Sequence, residues 1–228
     1  HYTPVAGLDE LRISISEKFK RDNNLEYTKD QIVVSTGAKQ SLANVCLSLL
    51  NPEDEVLLPC PYWVSYSEII KLAEGVPVEI PSNVKNNFKI TADQIKEAIT
   101  EKTKMFMFSS PCNPSGSVYT EAELRDIAKV FEKHPDIYIV SDEIYEHINF
   151  TDKHFSIGRI DNKNYQLKTF ITKFNNPFPE KWKIVEIKNL NENLIFVSNE
   201  INKNMKIDLN LPNNKWLKKE KFTIGEII

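Results

Sequence analysis

At 228 residues, with 41% hydrophobic and 27% charged, the chain has the make-up of a soluble globular protein of one large domain or two small ones. A formal net charge of -3 argues against nucleic acid or an anionic membrane surface as the main partner. No apolar run approaches the ~20 residues needed to span a bilayer, and no secretory signal pattern is present.

The chain opens on His1 rather than Met, which predicts a true N-terminus further upstream. Leu8, Leu11, Ile15 and Phe19 recur at helical spacing, forming the apolar stripe of a helix that stops at Arg21-Asp22-Asn23-Asn24. Gln31 to Ser35 reads as a short strand, followed by the tight turn Thr36-Gly37-Ala38. A second helix, from about Lys39 to Leu50, buries Leu42, Val45, Cys46 and Leu49. Glu55 to Leu58 and Val76 to Ile80 read as strands flanking a helix near Val64 to Ala73. Thr91-Ala92-Asp93-Gln94 and Thr120-Glu121-Ala122-Glu123 are capping boxes, each opening a helix. Two apolar runs, Met105 to Phe108 and Ile137 to Val140, have the length of buried strands. The alternation of strand and helix predicts an α/β fold: a mainly parallel sheet with helices on both faces.

The composition changes along the chain. Residues 1–160 hold 9 Asn, 4 Arg and 5 Gly, whereas the last 68 hold 13 Asn, no Arg and 1 Gly. This break predicts a domain boundary near Ile160, or a junction with unrelated coding sequence. Beyond it, Met205, Ile207, Leu209 and Leu211 alternate with polar residues, and Leu194 to Ser198 and Phe222 to Ile224 can pair with them. The segment 161–228 therefore reads as a small, β-rich, Asn/Lys-rich tail.

The polar residues after the last two apolar runs carry the chemistry. Asp142 follows Ile137 to Ser141, so its carboxylate emerges at a strand end, where open α/β sheets place their ligands. Pyridoxal phosphate needs such an anion beside its ring nitrogen, to keep the ring cationic and electron-accepting. Taken alone, a strand-end Asp is more often a helix cap or an ion-pair partner. Tyr145 and Asn113 can donate to the ring's 3-oxygen, although singly they read as a packing residue and a turn residue. Gly37-Ala38-Lys39 joins a turn to a helix start, which leaves backbone N–H groups and a positive helix end for a phosphate. Trp63 can stack on an aromatic ring, a role that competes with ordinary core packing. His147 and His154 lack metal-ligand spacing and read as surface or supporting groups. No metal site is expected. Cys46, Cys60 and Cys112 lack metal or redox spacing and read as reduced structural thiols of a cytoplasmic protein.

Five stretches, in order, resemble the large domain of class I pyridoxal-phosphate aminotransferases, the fold type I architecture, and above all the bacterial aspartate aminotransferase branch. They are Tyr2 to Leu8 with Glu10-Leu11-Arg12, Ser35 to Gln40, Pro61 to Tyr66, Asn113 to Gly116, and Ser141 to His147. The resemblance covers residues 2 to about 160, and Ser115 stands where Thr is more usual. It implies that Ala38 and Lys39 offer backbone contacts to the cofactor phosphate and that Trp63 lies over the ring. Asn113 and Tyr145 would bond the 3-oxygen and Asp142 the ring nitrogen, while Tyr2 would reach the phosphate of a neighbouring subunit. It further implies a homodimer and a two-step amino transfer between amino acids and 2-oxo acids.

The pattern then fades after Gly158-Arg159-Ile160. The family's catalytic lysine is expected roughly thirty residues past the aspartate, and Lys173 falls near that distance, with Lys168 a poorer fit. The two arginines that the resemblance implies for phosphate and substrate carboxylate have no counterpart, because no Arg follows Arg159. The family's small domain and N-terminal arm are not recognisable either. A truncated or chimeric aminotransferase domain of low activity is the first expectation. A non-catalytic protein that binds pyridoxal phosphate, or a scaffold, is the second, and a lyase or cyclopropane-forming synthase on the same fold is the third.

Overall fold

The computed structural model describes residues 4–150, 154–160 and 169–172. They belong to one compact unit, His1–Asn176. The second unit, Pro177–Ile228, lies outside the described residues, and with it every strand expected in the tail.

Among the described residues, five strands form the sheet: β1 (Glu55–Pro59), β2 (Val76–Ile80), β3 (Thr103–Ser109), β4 (Tyr138–Asp142) and β5 (Thr169–Thr172). Their order is β2-β1-β3-β4-β5, and every neighbouring pair is parallel. Successive side chains leave a strand on opposite faces, so each run feeds two cores. Leu57, Phe106, Phe108 and Ile139 pack with Ile95 of α4 (Ala92–Ala98) and with Leu124, Ile127 and Phe131 of α5 (Glu121–Phe131). Val56, Leu58, Met105, Met107 and Val140 pack with Leu42 and Cys46 of α2 (Ala38–Leu49) and with Tyr66, Ile69 and Ile70 of α3 (Ser65–Leu72). Coverage on both faces is why these strands read as continuous apolar runs rather than as alternating ones.

The local signals behave as their chemistry demands. Both capping boxes form; at the start of α5 the Glu123 carboxylate accepts the Thr120 N–H at 2.7 Å while Thr120 Oγ1 accepts the Glu123 N–H at 3.3 Å. The first helix, α1 (Asp9–Asn23), ends on Asn24 in the left-handed region, φ 52°. Its Ile15 and Phe19 pack on Leu25 and Ile32 in a small separate cluster. Leu8, expected to open the apolar stripe, instead precedes the helix and is half exposed.

One expected element differs. Lys29–Gln31 is a 3₁₀ turn, Ile32 is extended, and residues 32–35 join no ladder among the described residues. The Val34 N–H donates to the Ala6 carbonyl at 3.0 Å, but a single bond does not make a strand. Val33 and Val34 have the right propensity, yet a strand also needs a neighbour with matching register.

The topology decides where a ligand can enter. The β1-to-β2 crossover carries α3 on one face, whereas the β3-to-β4 crossover carries α5 on the other. The loops leaving the C-terminal ends of β1 and β3 therefore part to opposite faces, and this switch point between adjacent strands is where open α/β sheets seat their ligands. Among the described residues, no helix is long and apolar enough to cross a membrane.

Candidate cofactor site

Asp142 is the last residue of β4, in register with Ser109 of β3 and Thr172 of β5. It is only 4% exposed. A buried carboxylate needs donors, and its Oδ2 accepts the Tyr66 hydroxyl at 2.6 Å while Oδ1 accepts the Ile144 N–H at 3.3 Å. Burial, followed by the charge of Asp142, holds the Tyr66 hydroxyl well above the usual tyrosine pKa. Tyr66 is thus a fixed proton donor that orients the carboxylate. In the sequence Tyr66 lies within a matching stretch, Pro61 to Tyr66, without a role of its own. The available signal is its place three residues beyond Trp63, just inside the helix that follows.

Trp63 lies in the loop between β1 and α3, half buried, with its ring edge-on to Tyr66 at 5.6 Å and 90°. The ammonium of Lys39, the second residue of α2, lies 4.8 Å from the Trp63 ring centroid. Contacts therefore link Asp142, Tyr66, Trp63 and the start of α2 in one chain. The loop after β3 joins them, since Cys112 Sγ donates to the Pro61 carbonyl at 3.5 Å and the Ser110 N–H donates to the Asp142 carbonyl at 3.2 Å. That loop carries Asn113. Tyr145 follows Asp142 by three residues. Asn113 and Tyr145 are half buried, and neither side chain meets a hydrogen-bond partner among the described residues.

Gly37, at φ 87° and ψ 161°, turns the chain into α2, and a Cβ built on it would meet nothing within 4 Å. The Thr36 N–H is taken by Gln40 Oε1 at 2.5 Å, while the N–H groups of Ala38 and Lys39 find no acceptor among the described residues. With no acidic residue in its first turn, the helix presents an uncompensated positive end. Tyr2 and Lys173 lie outside the described residues.

A ring nitrogen, a ring oxygen and an anionic tail are the features such a rim can hold. Asp142 offers a fixed negative charge, Asn113 and Tyr145 offer donors, Trp63 a flat face, and the Gly37 turn an anion cradle with room above it. The donor set fits pyridoxal phosphate.

The family described as aminotransferase class I and II matches residues 1–172. The chain belongs to this family. Enzymes of the family depend on pyridoxal phosphate, and the parallel α/β sheet is their fold. An aspartate aminotransferase of Bacillus subtilis is 52% identical over 163 residues, which is 71% of this chain and 41% of that protein. An aspartate/prephenate aminotransferase of Cereibacter sphaeroides is 48% identical over 155 residues, 68% of this chain and 39% of that protein. Among solved structures, the aspartate aminotransferase of Thermus thermophilus with maleate superposes with a TM-score of 0.71 at 40% identity, covering 76% of this chain and 44% of that one. The chain spans about two-fifths of the length of the curated relatives it matches. The family match runs to residue 172, beyond the composition break near Ile160 and through the last strand of the sheet.

Proposed function

We propose that residues 1–172 are the cofactor-binding part of a pyridoxal-phosphate-dependent aminotransferase that moves an amino group between an aspartate-like amino acid and a 2-oxo acid. The observation that carries this reading is the Asp142 carboxylate, buried at the C-terminal end of β4 and pinned by the Tyr66 hydroxyl. When bound, the cofactor supplies an electron-accepting ring. The protein's part is to hold that ring. Asp142 keeps the ring nitrogen protonated, Asn113 and Tyr145 donate to the 3-oxygen, Trp63 covers one face, and the Ala38 and Lys39 N–H groups take the phosphate. Tyr2 is read as reaching the phosphate of a second copy in a homodimer. Lys173, directly after the strand whose Thr172 pairs with Asp142, is the candidate amine for covalent attachment and for moving the proton at the substrate Cα.

A second reading has its own support. The family match stops at residue 172, just before Lys173, and no arginine follows Arg159. On this reading the chain binds pyridoxal phosphate reversibly and transfers nothing, with residues 173–228 of separate origin.

Titration of the full chain with pyridoxal phosphate, followed through tryptophan fluorescence, tests the shared part. The wild type should bind saturably, and Asp142→Ala should weaken binding roughly ten- to a hundredfold, the order seen when a group that orients the ligands of a bound metal is lost. Equal affinities for both would remove the assignment. Borohydride treatment then separates the two readings. Cofactor fixed to the protein, and lost on Lys173→Ala, supports the first; saturable binding with none fixed supports the second.

A further inference from the structure

Past Asp142 the chain makes a turn that holds two more buried acids. Glu143 is 1% exposed, and its Oε1 accepts the hydroxyls of Ser141 at 2.9 Å and Ser156 at 2.8 Å. Its Oε2 faces His154 Nε2 at 2.9 Å. A carboxylate only accepts, so that imidazole nitrogen is the protonated one. Three residues on, Glu146 accepts the Lys18 ammonium on Oε1 and the Asn23 amide on Oε2 at 2.7 Å. Lys18 is fully buried on α1 and also donates to Asn23 Oδ1 at 3.0 Å. The turn itself closes through Glu146 N–H to the Glu143 carbonyl at 3.1 Å and Ile148 N–H to the Tyr145 carbonyl at 2.8 Å.

Tyr145 lies between these two acids in sequence, within the turn that they anchor. Burying two acids and a lysine carries a desolvation cost that a purely apolar packing would avoid, so such an arrangement is weak evidence for stability and better evidence for fixed geometry. The two anchors also pull in different directions: Glu143 ties the turn forward to the segment 154–156, and Glu146 ties it back to α1, 128 residues away in sequence. A backbone held on both sides leaves Tyr145 little freedom beyond its own two side-chain torsions.

We propose that Glu143 and Glu146, held by His154 and Lys18, form a two-point clamp that sets the position of the Tyr145 phenol, which makes α1 a working part of the cofactor site through Lys18. These are positioning residues, and the proposal rests on the reading of Tyr145 as a donor to the cofactor.

The experiment uses the full chain with 3-fluorotyrosine at position 145, observed by fluorine NMR without cofactor, and the same chains titrated with pyridoxal phosphate. The parent should give one narrow line. Lys18→Met should broaden or shift that line and weaken cofactor binding roughly ten- to a hundredfold. The double variant Lys18→Met/Glu146→Met replaces the ion pair with apolar groups and should regain melting temperature while the line and the affinity stay altered. A double variant with the parental line and affinity would reduce the pair to packing and overturn the proposal, as would an unmoved line in the single variants. Glu146→Gln, which keeps volume and the Asn23 contact, carries the same expectation if Lys18→Met does not fold. A parent that fails to bind pyridoxal phosphate while its line still responds to these variants would sink the cofactor reading and leave the clamp standing.

Discussion

Removal of the Tyr66 hydroxyl isolates the contact on which the candidate site turns. Tyr66→Phe deletes one oxygen, leaves the ring and its packing with Trp63 in place, and takes from Asp142 a donor at 2.6 Å. Both groups are buried, and the acceptor is charged, so the bond belongs to the stronger class, about 1.5–3 kcal/mol net against about 0.5–1.5 kcal/mol for a neutral pair. In the Asp142→Asn background the acceptor is a neutral amide oxygen, and the same deletion should cost only the neutral amount. The double-mutant cycle should therefore show a coupling of about 1 kcal/mol or more, read from urea unfolding monitored by circular dichroism and tryptophan fluorescence. Distant sites add to within about 0.3–0.5 kcal/mol. Additive effects of the two substitutions would mean that Tyr66 does not orient the carboxylate and would refute the description of the site.

Two further outcomes follow from the fold. Burial pushes the Cys46 thiol up to about 12 from an ordinary value of 9.0. Its folded value is raised, so its contribution is complete below pH 9 and is lost as the unfolded thiol ionises above that point, by up to about 1.4 kcal/mol per pH unit. Unfolding free energies at pH 8 and pH 10 should accordingly converge between the wild type and Cys46→Ala; a gap that stays constant would contradict the burial. Gly7 adopts φ +99°, and a Cβ there would lie 2.7 Å from Val34 Cβ. Gly7→Ala should cost about 2 kcal/mol or more in a denaturant melt, because the backbone conformation and the contact are both unfavourable. An unchanged midpoint would show that the Ala6–Val34 tie is not formed in solution.

Much of this architecture is legible in short windows of sequence. The strands at Val76 to Ile80 and Ile137 to Val140, and both capping boxes, appear where their residues indicate, because apolar runs and i,i+3 reciprocity act over a few residues. Residues 32–35 show the limit of such reading: two valines in a row carry strand propensity, but the neighbour that would make a ladder is a tertiary matter. The site divides the same way. Asp142, Asn113, Tyr145, Trp63 and the Gly37 turn stand out by residue type and by position after an apolar run, and the fold links Asp142 through Tyr66 to Trp63 and the α2 start. Tyr66 does not stand out in the sequence, because what distinguishes it is an acid 76 residues away.

The sequence by itself determined most of the elements, their parallel α/β arrangement and the residue types gathered at one end of the strands. Only the tertiary structure decided which polar groups pair once water is excluded. Lys18 on an exposed-looking helix and Glu146 in a polar turn look like solvated charges until packing buries them together. Periodicity and capping are local free-energy preferences, whereas the partner of a buried charge is chosen by desolvation across the whole chain.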